Sequence, residues 1–264
     1  MDWDLYETGP EEANHIVLLL PGGLNAARSY AEVMAQPALK DMRLIAATLP
    51  GHCGTPPPDD ITVENYARLA GELAKGRGCD VVVGFSMGAT VALEMIASGV
   101  FAGPAVLLGI SMSRKDEAAF FRAIVRLGSV LGRLPAAALL SMAGLMLKPV
   151  PLSPERKAEL AADFHRNEPR VIRGLLIEYV RYLSRHTKPA TRLCNAGVPT
   201  WVVHAEKGDG GLTDDERRTL KACPYATVIT IPGTSHLLPN EKPGEIAGIV
   251  VAAAAAARQR HTPN

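Results

Sequence analysis

The shortages in this sequence narrow its chemistry before any motif does. Charge of one sign is missing: 28 basic side chains stand against 27 acidic ones, a net charge of +1 at pH 7. Such a balance gives no electrostatic reason to expect nucleic acid or an anionic membrane as partner. Cysteine is scarce and scattered, at Cys53, Cys79, Cys194 and Cys223, with no C-x-x-C pair and no histidine at zinc-ligand spacing. No uncharged apolar run reaches membrane-spanning length; "IAGIVVAAAAAARQR" is too short and reads as an alanine-rich final helix. The opening "MDWDLYETGP" is acidic and lacks the basic-then-apolar layout of a secretory signal. The expectation is a cytoplasmic protein with reduced thiols, no nucleic-acid partner and no membrane span. Internal repeats are absent, and low complexity is confined to the short alanine run.

What is present is apolar and regularly spaced. Hydrophobic residues make up 47% of the 264 positions, enough for one large domain or a domain with an insertion. Short runs such as "HIVLLLPGG", "MRLIAATLPGHCG", "CDVVVGFS", "GPAVLLGIS", "PTWVVHAEK" and "ATVITIPGTSH" recur along the chain. Most are continuous rather than alternating, as parallel strands covered on both faces require. Helical patterns lie between them, including "TVENYARLAGELAKG", which Thr62 with Asn65 or Glu64 could start. This rhythm predicts an α/β fold with a mostly parallel central sheet flanked by helices. From about 114 to 190 no strand-like run appears, and Pro135, Pro149, Pro151, Pro154 and Pro169 cut an apolar stretch into several helices. The predicted organisation is a core of 1–113 and 191–264 with a helical insertion at 114–190.

One motif carries chemistry. In "VVVGFSMGATVALEM" a buried strand turns into a helix at Ser86, with Gly84 and Gly88 two residues away on either side. A nucleophilic serine has to be presented with its hydroxyl exposed and a base in reach. A sharp strand-to-helix turn does this, and the close approach of strand and helix leaves no room for side chains at the flanking positions. The helix that follows aims its first N–H groups at the place where negative charge would develop. The bland alternative is a small-residue turn whose serine caps the helix.

The chain resembles the α/β-hydrolase family over nearly its whole length. "GFSMG" looks like the nucleophile elbow, "LLLPGGLNAARSY" the oxyanion loop, "LPGHCGTPPP" the family's PGxG loop, and "IPGTSHLLPNEKP" the histidine loop. The resemblance implies Ser86 as nucleophile and His236 as base, with His52 and His204 as rival histidines. It implies an acid after the strand "TWVVH". Asp209 in "HAEKGDGG" fits best, although it arrives one residue later than the usual spacing. Glu206 and Asp214 compete, and "LTDDE" also reads as a helix start capped by Thr213 or Asp214. The backbone N–H groups of Gly23 and Met87 are the implied oxyanion hole; Gly22 and Gly23 could equally serve only as a turn. Leu24 and Leu237 are candidate pocket residues. Pro21 stands where many members have histidine, and Thr48 where many have aspartate.

The activity implied is hydrolysis of a carboxylic ester or thioester by a Ser86–His236–Asp209 triad, with no metal or organic cofactor. The partner is a small-molecule substrate, or an acyl carrier if the enzyme is a thioesterase. The helical insertion falls where many members carry a lid. Its Leu- and Met-rich "LPAAALLSMAGLML" would suit an apolar acyl chain, though such spacing also packs a core. The same residues serve C–C hydrolases, perhydrolases, haloperoxidase-like enzymes, lyases and ligand receptors of this fold. Serine at the elbow argues against the family's dehalogenase and epoxide hydrolase branches, which use aspartate.

Overall fold

The computed structural model describes residues 2–112, 140–141, 144, 147–148, 150–207 and 212–261. Seven strands form one sheet: β1 (Leu5–Thr8), β2 (Ile16–Leu20), β3 (Arg43–Ala47), β4 (Val81–Phe85), β5 (Ala105–Leu108), β6 (Thr200–Ala205) and β7 (Ala226–Ile231). Their order is β1-β3-β2-β4-β5-β6-β7, and every pairing except β1 with β3 is parallel. The six parallel strands are those the apolar runs predict. The edge strand β1 was not read from the sequence. Its four residues are all half-buried, so it carries no continuous apolar run.

Alternate residues of the strands enter two separate cores. Leu18, Leu20, Val82, Leu107 and Val202 face one layer, while Val17, Leu19, Val83, Val106, Leu108 and Val203 face the other. Period-two alternation survives in space although the sequence shows an unbroken run, because helices cover both faces. One layer holds α2 (Val63–Arg77) and α3 (Met87–Ala97), through Tyr66, Ala70, Val91 and Met95. The other holds α1 (Ala31–Met34) and, at the chain's end, α9 (Pro243–His261). Ile246, Ala247, Val250, Ala253, Ala254 and Ala257 make one helical stripe of α9 against the sheet, which explains the alanine run as a close-packing face.

Between β5 and β6 the described helices are α4 (Pro154–His165), α5 (Pro169–Arg185) and α6 (Pro189–Asn195), each opened by a proline whose missing N–H costs nothing there. The expected helices over 113–139 lie outside the described residues. Ile172, Leu175, Tyr179, Tyr182 and Leu183 put α5 against the α2–α3 layer. At its heart Glu94 of α3 accepts from Tyr182 Oη (2.7 Å) and Arg192 Nη2 (2.8 Å), a part-buried ion pair that fastens α5 and α6 to α3. Beyond β6, α7 (Asp214–Lys221) starts with a reciprocal capping box between Thr213 and Glu216, and α8 (Leu238–Glu241) precedes α9. The reduced-thiol expectation holds for Cys53 and Cys79 but not for Cys194, which is bonded to Cys223 because α6 and the turn before β7 bring their Cα atoms to 5.8 Å. No described helix is long and apolar enough to cross a membrane.

Candidate active site

The strand order reverses direction around β2 and β4, and in open α/β sheets the crevice outside the carboxyl ends at such a switch point is where ligands bind. Ser86 sits there, between the last residue of β4 and the first of α3. Its backbone is at φ 50°, ψ −114°, and its hydroxyl makes no capping bond to the helix it begins. The capping-serine alternative therefore fails. A non-glycine residue held in so sparsely populated a conformation costs about 1–3 kcal/mol, which the surroundings must over-determine. Here Ser86 N–H donates to Leu108 O at 2.8 Å, and its own carbonyl accepts from Ala89 and Thr90. The flanking glycines are required by space. A Cβ on Gly84 would overlap the Gly88 carbonyl, and one on Gly88 would overlap the carbonyls of Leu20 and Pro21.

The loop after β2 backs onto this elbow. A Cβ on Gly22 would stand 3.0 Å from the Phe85 ring, and one on Gly23 would stand 3.6 Å from Met87 Sδ. Gly23 and Met87, the expected oxyanion pair, are thus neighbours. The loop closes by Asn25 N–H to Gly22 O (3.2 Å), and Asn25 Nδ2 donates to Gly23 O (3.0 Å). The residue with positive φ in this loop is Leu24 at 73°, while neither Gly22 nor Gly23 takes one, so the two glycines do not serve a left-handed turn. Thr48, standing where the resemblance expects aspartate, accepts from Ala27 N–H (2.8 Å) and donates to Asp4 Oδ2 (2.7 Å). A hydroxyl backed by the carboxylate just before β1 thereby anchors the same loop.

His236 reaches the elbow from the far side. Its ring centroid is 5.1 Å from that of Phe85, the residue before Ser86. A Cβ on Gly109, next to the Leu108 that holds Ser86, would lie 3.5 Å from its Cε1 and 3.6 Å from its Nδ1. The loop around it is cradled by one carboxylate. Glu241 accepts from Ser235 N–H (2.9 Å), Ser235 Oγ (2.5 Å) and Leu237 N–H (3.1 Å), bracketing His236 on both sides. Next to it, Asn240 Nδ2 donates to Ser29 O and to Glu32, which pairs at 2.6 Å with Arg156 of α4. Leu237 packs against Leu147, Val150 and Leu160, so the histidine loop touches the segment between β5 and β6. Leu24, the other candidate pocket residue, is buried at 8% exposure in the α2–α3 core.

His204 is a buried residue of β6. His52 is 1% exposed, its Nδ1–H facing Leu49 O at 3.2 Å, and burial drops its pKa to about 4. Its Nε2 lies near Gly23, at 3.8 Å from the position of an added Cβ. Glu206 is exposed and accepts from Gly233 N–H at 2.9 Å, while Asp214 is exposed in the first turn of α7. Asp209 lies outside the described residues. Sequence reasoning missed Asp4, Asn167 and Glu241. Of these only Glu241 had a local signal, lying within five residues of the proposed base.

A family profile described as "Alpha/beta hydrolase family" matches residues 17–249. The chain belongs to the α/β hydrolase family. No curated protein matches its sequence. Among solved structures, MenH from S. aureus superposes with a TM-score of 0.75 at 19% identity, over 97% of this chain and 98% of that one. A thermophilic esterase from Thermogutta terrifontis gives 0.74 at 18%, over 98% and 94%. The thioesterase domain from the curacin biosynthetic pathway gives 0.68 at 18%, over 94% of each chain. Identities this low establish the α/β hydrolase fold and leave the substrate to be argued from the site.

Proposed function

We propose that this α/β hydrolase is a serine hydrolase that cleaves a carboxylic ester or thioester of a small, apolar substrate through an acyl-serine intermediate. The observation that carries the reading is Ser86 itself, strained at φ 50° with its hydroxyl not spent on capping α3. Ser86 Oγ attacks the acyl carbon as His236 takes its proton, and the backbone N–H groups of Gly23 and Met87 hold the oxyanion. His236 then protonates the leaving alcohol or thiol, and water repeats the sequence to free the acid. Asp209 is assigned the orienting carboxylate. Supporting it, Glu206 and Asp214 are exposed and committed to Gly233 and to a helix terminus. The 114–190 insertion acts as the apolar cover, a role consistent with the packing of Leu237 on Leu147, Val150 and Leu160. An esterase and a thioesterase domain among similar folds fit this chemistry.

The test is turnover of nitrophenyl esters of increasing acyl length, with Ser86→Ala alongside. Steady hydrolysis that the variant loses supports the reading, and the optimum chain length sizes the pocket. A stoichiometric reaction without turnover would turn the reading toward a ligand receptor on the same fold.

A further inference from the structure

Two loops at the site hold non-glycine residues in the left-handed region: Leu24 at φ 73° beside the Gly22–Gly23 pair, and Cys53 at φ 49° in the PGxG loop. They are 29 residues apart in sequence, yet one side chain from a third segment binds both. Asn167, between α4 and α5, accepts from Cys53 N–H through Oδ1 (2.9 Å) and donates to Leu24 O through Nδ2 (3.1 Å). Its Nδ2 also lies 3.0 Å from the carbonyls of Asp163 and Phe164 at the end of α4. The opposite amide orientation would set an oxygen against three carbonyls, so the network fixes which end is which. Cys53 Sγ adds a donor to Leu24 O at 3.2 Å, and burial pushes that thiol up to about 12, so it keeps its proton. Asn167 is 4% exposed. A fully satisfied buried amide of this kind fixes a single geometry in whatever it ties together.

We propose that Asn167 is a positioning residue for the oxyanion hole: it clamps Leu24 and Cys53 in their left-handed conformations and so sets the Gly23 N–H against Met87. This rests on the serine hydrolase reading above. The clamp originates in the segment between β5 and β6, so that segment shapes the catalytic backbone as well as covering it. A residue needed only for stability would lower the melting temperature and leave each folded site as reactive as before. A residue that aims the oxyanion donor acts on species that carry the oxyanion and spares ground-state binding.

The experiment compares wild type with Asn167→Ala and Asn167→Asp, the second placing an acceptor against Leu24 O. Two rates are measured per folded protein: nitrophenyl ester turnover, and labelling of Ser86 by a fluorophosphonate, which forms the Oγ–P bond and expels fluoride. The expected result is a fall of about 10–100-fold in both kcat and labelling rate, with KM within about threefold of wild type. A Ki for a trifluoromethyl ketone should weaken in parallel with kcat/KM. Unchanged kcat and labelling in folded variants would overturn the inference and leave the hydrolase reading standing. Failure of both variants to fold would also overturn it, because the side chain would then serve stability. A wild type that neither turns over ester nor labels at Ser86 would overturn the hydrolase reading and this inference together.

Discussion

The two edges of the sheet differ in where the backbone is strained. At the amino ends of β2 and β4, His15 is enclosed: Nδ1–H donates to Asp80 Oδ2 at 2.5 Å and Nε2 accepts from Arg258 Nε at 2.6 Å. The second oxygen of Asp80 takes the Ile16 N–H at 2.9 Å. At the carboxyl ends, all three non-glycine residues with positive φ among those described, Leu24, Cys53 and Ser86, gather around one crevice. There the Ser86 hydroxyl is left out of helix capping, and burial drives the imidazole of His52 toward neutrality. The amino edge holds its polar atoms in one closed network, whereas the carboxyl edge adds strained backbone positions to its loop-closing hydrogen bonds. Both edges are equally well supported by the apolar strands between them, which is how one sheet can be rigid and strained at once.

Changes at the elbow should break this contrast hardest. In Gly88→Ala the new methyl group meets the carbonyls of Leu20 and Pro21, which are backbone and cannot step aside. Loss of about 4 kcal/mol or more in urea unfolding is expected, with activity abolished. Near-wild-type stability would mean that α3 is not pressed against β2. The next effect is on pH. His52 has its ordinary value of 6.5 in the unfolded chain and about 4 when folded. Between those values the unfolded chain binds a proton that the native state does not. The stability is therefore complete above about pH 6.5 and lost as pH falls toward 4, by at most about 3 kcal/mol. His52→Gln should flatten the melting temperature over that window, and parallel curves would show that His52 is not the group responsible.

Smaller effects separate the edges further. His15→Ala removes the link between Asp80 and Arg258 and should cost about 2 kcal/mol, with kcat per folded molecule unchanged. A drop in kcat would mean that the amino edge communicates with the site. Glu241→Gln should do the reverse. It replaces a charged acceptor of three hydrogen bonds by a neutral amide. Kinetics should show kcat down about tenfold through misplacement of His236, with little change in melting temperature. Equal loss of stability and rate would reduce Glu241 to a structural brace.

Legibility in the sequence follows the same division between local and distant causes. Strands β2 to β6 were readable because burial on both faces writes an unbroken apolar run, β7 was readable from the β-branched run ATVITI although this edge strand is partly exposed, and β1 was not because four half-buried residues write no pattern. The elbow was readable because strand, glycines, serine and helix are consecutive, and the clash at Gly84 and Gly88 now supplies its cause. The Asn167 clamp spans 143 residues to Leu24 and 114 to Cys53, and nothing in the local sequence around Asn167 announces it. Asp4 behind Thr48 was hidden for the same reason, with a separation of 44 residues. The proposed assignment of Asp209 rests on chain order, which selects a region, whereas an atom is selected by side-chain geometry.

Under the proposed function, Ser86 is strained so that it can be acylated. The direct measurement is peptide mass mapping after rapid acid quench of the protein mixed with a nitrophenyl ester, in wild type and Ser86→Ala. The expected result is one acyl group per molecule on the peptide carrying Ser86, formed during a burst of nitrophenol and absent from the variant. Ester turnover persisting in Ser86→Ala, or an acyl group mapped to another residue, would contradict it.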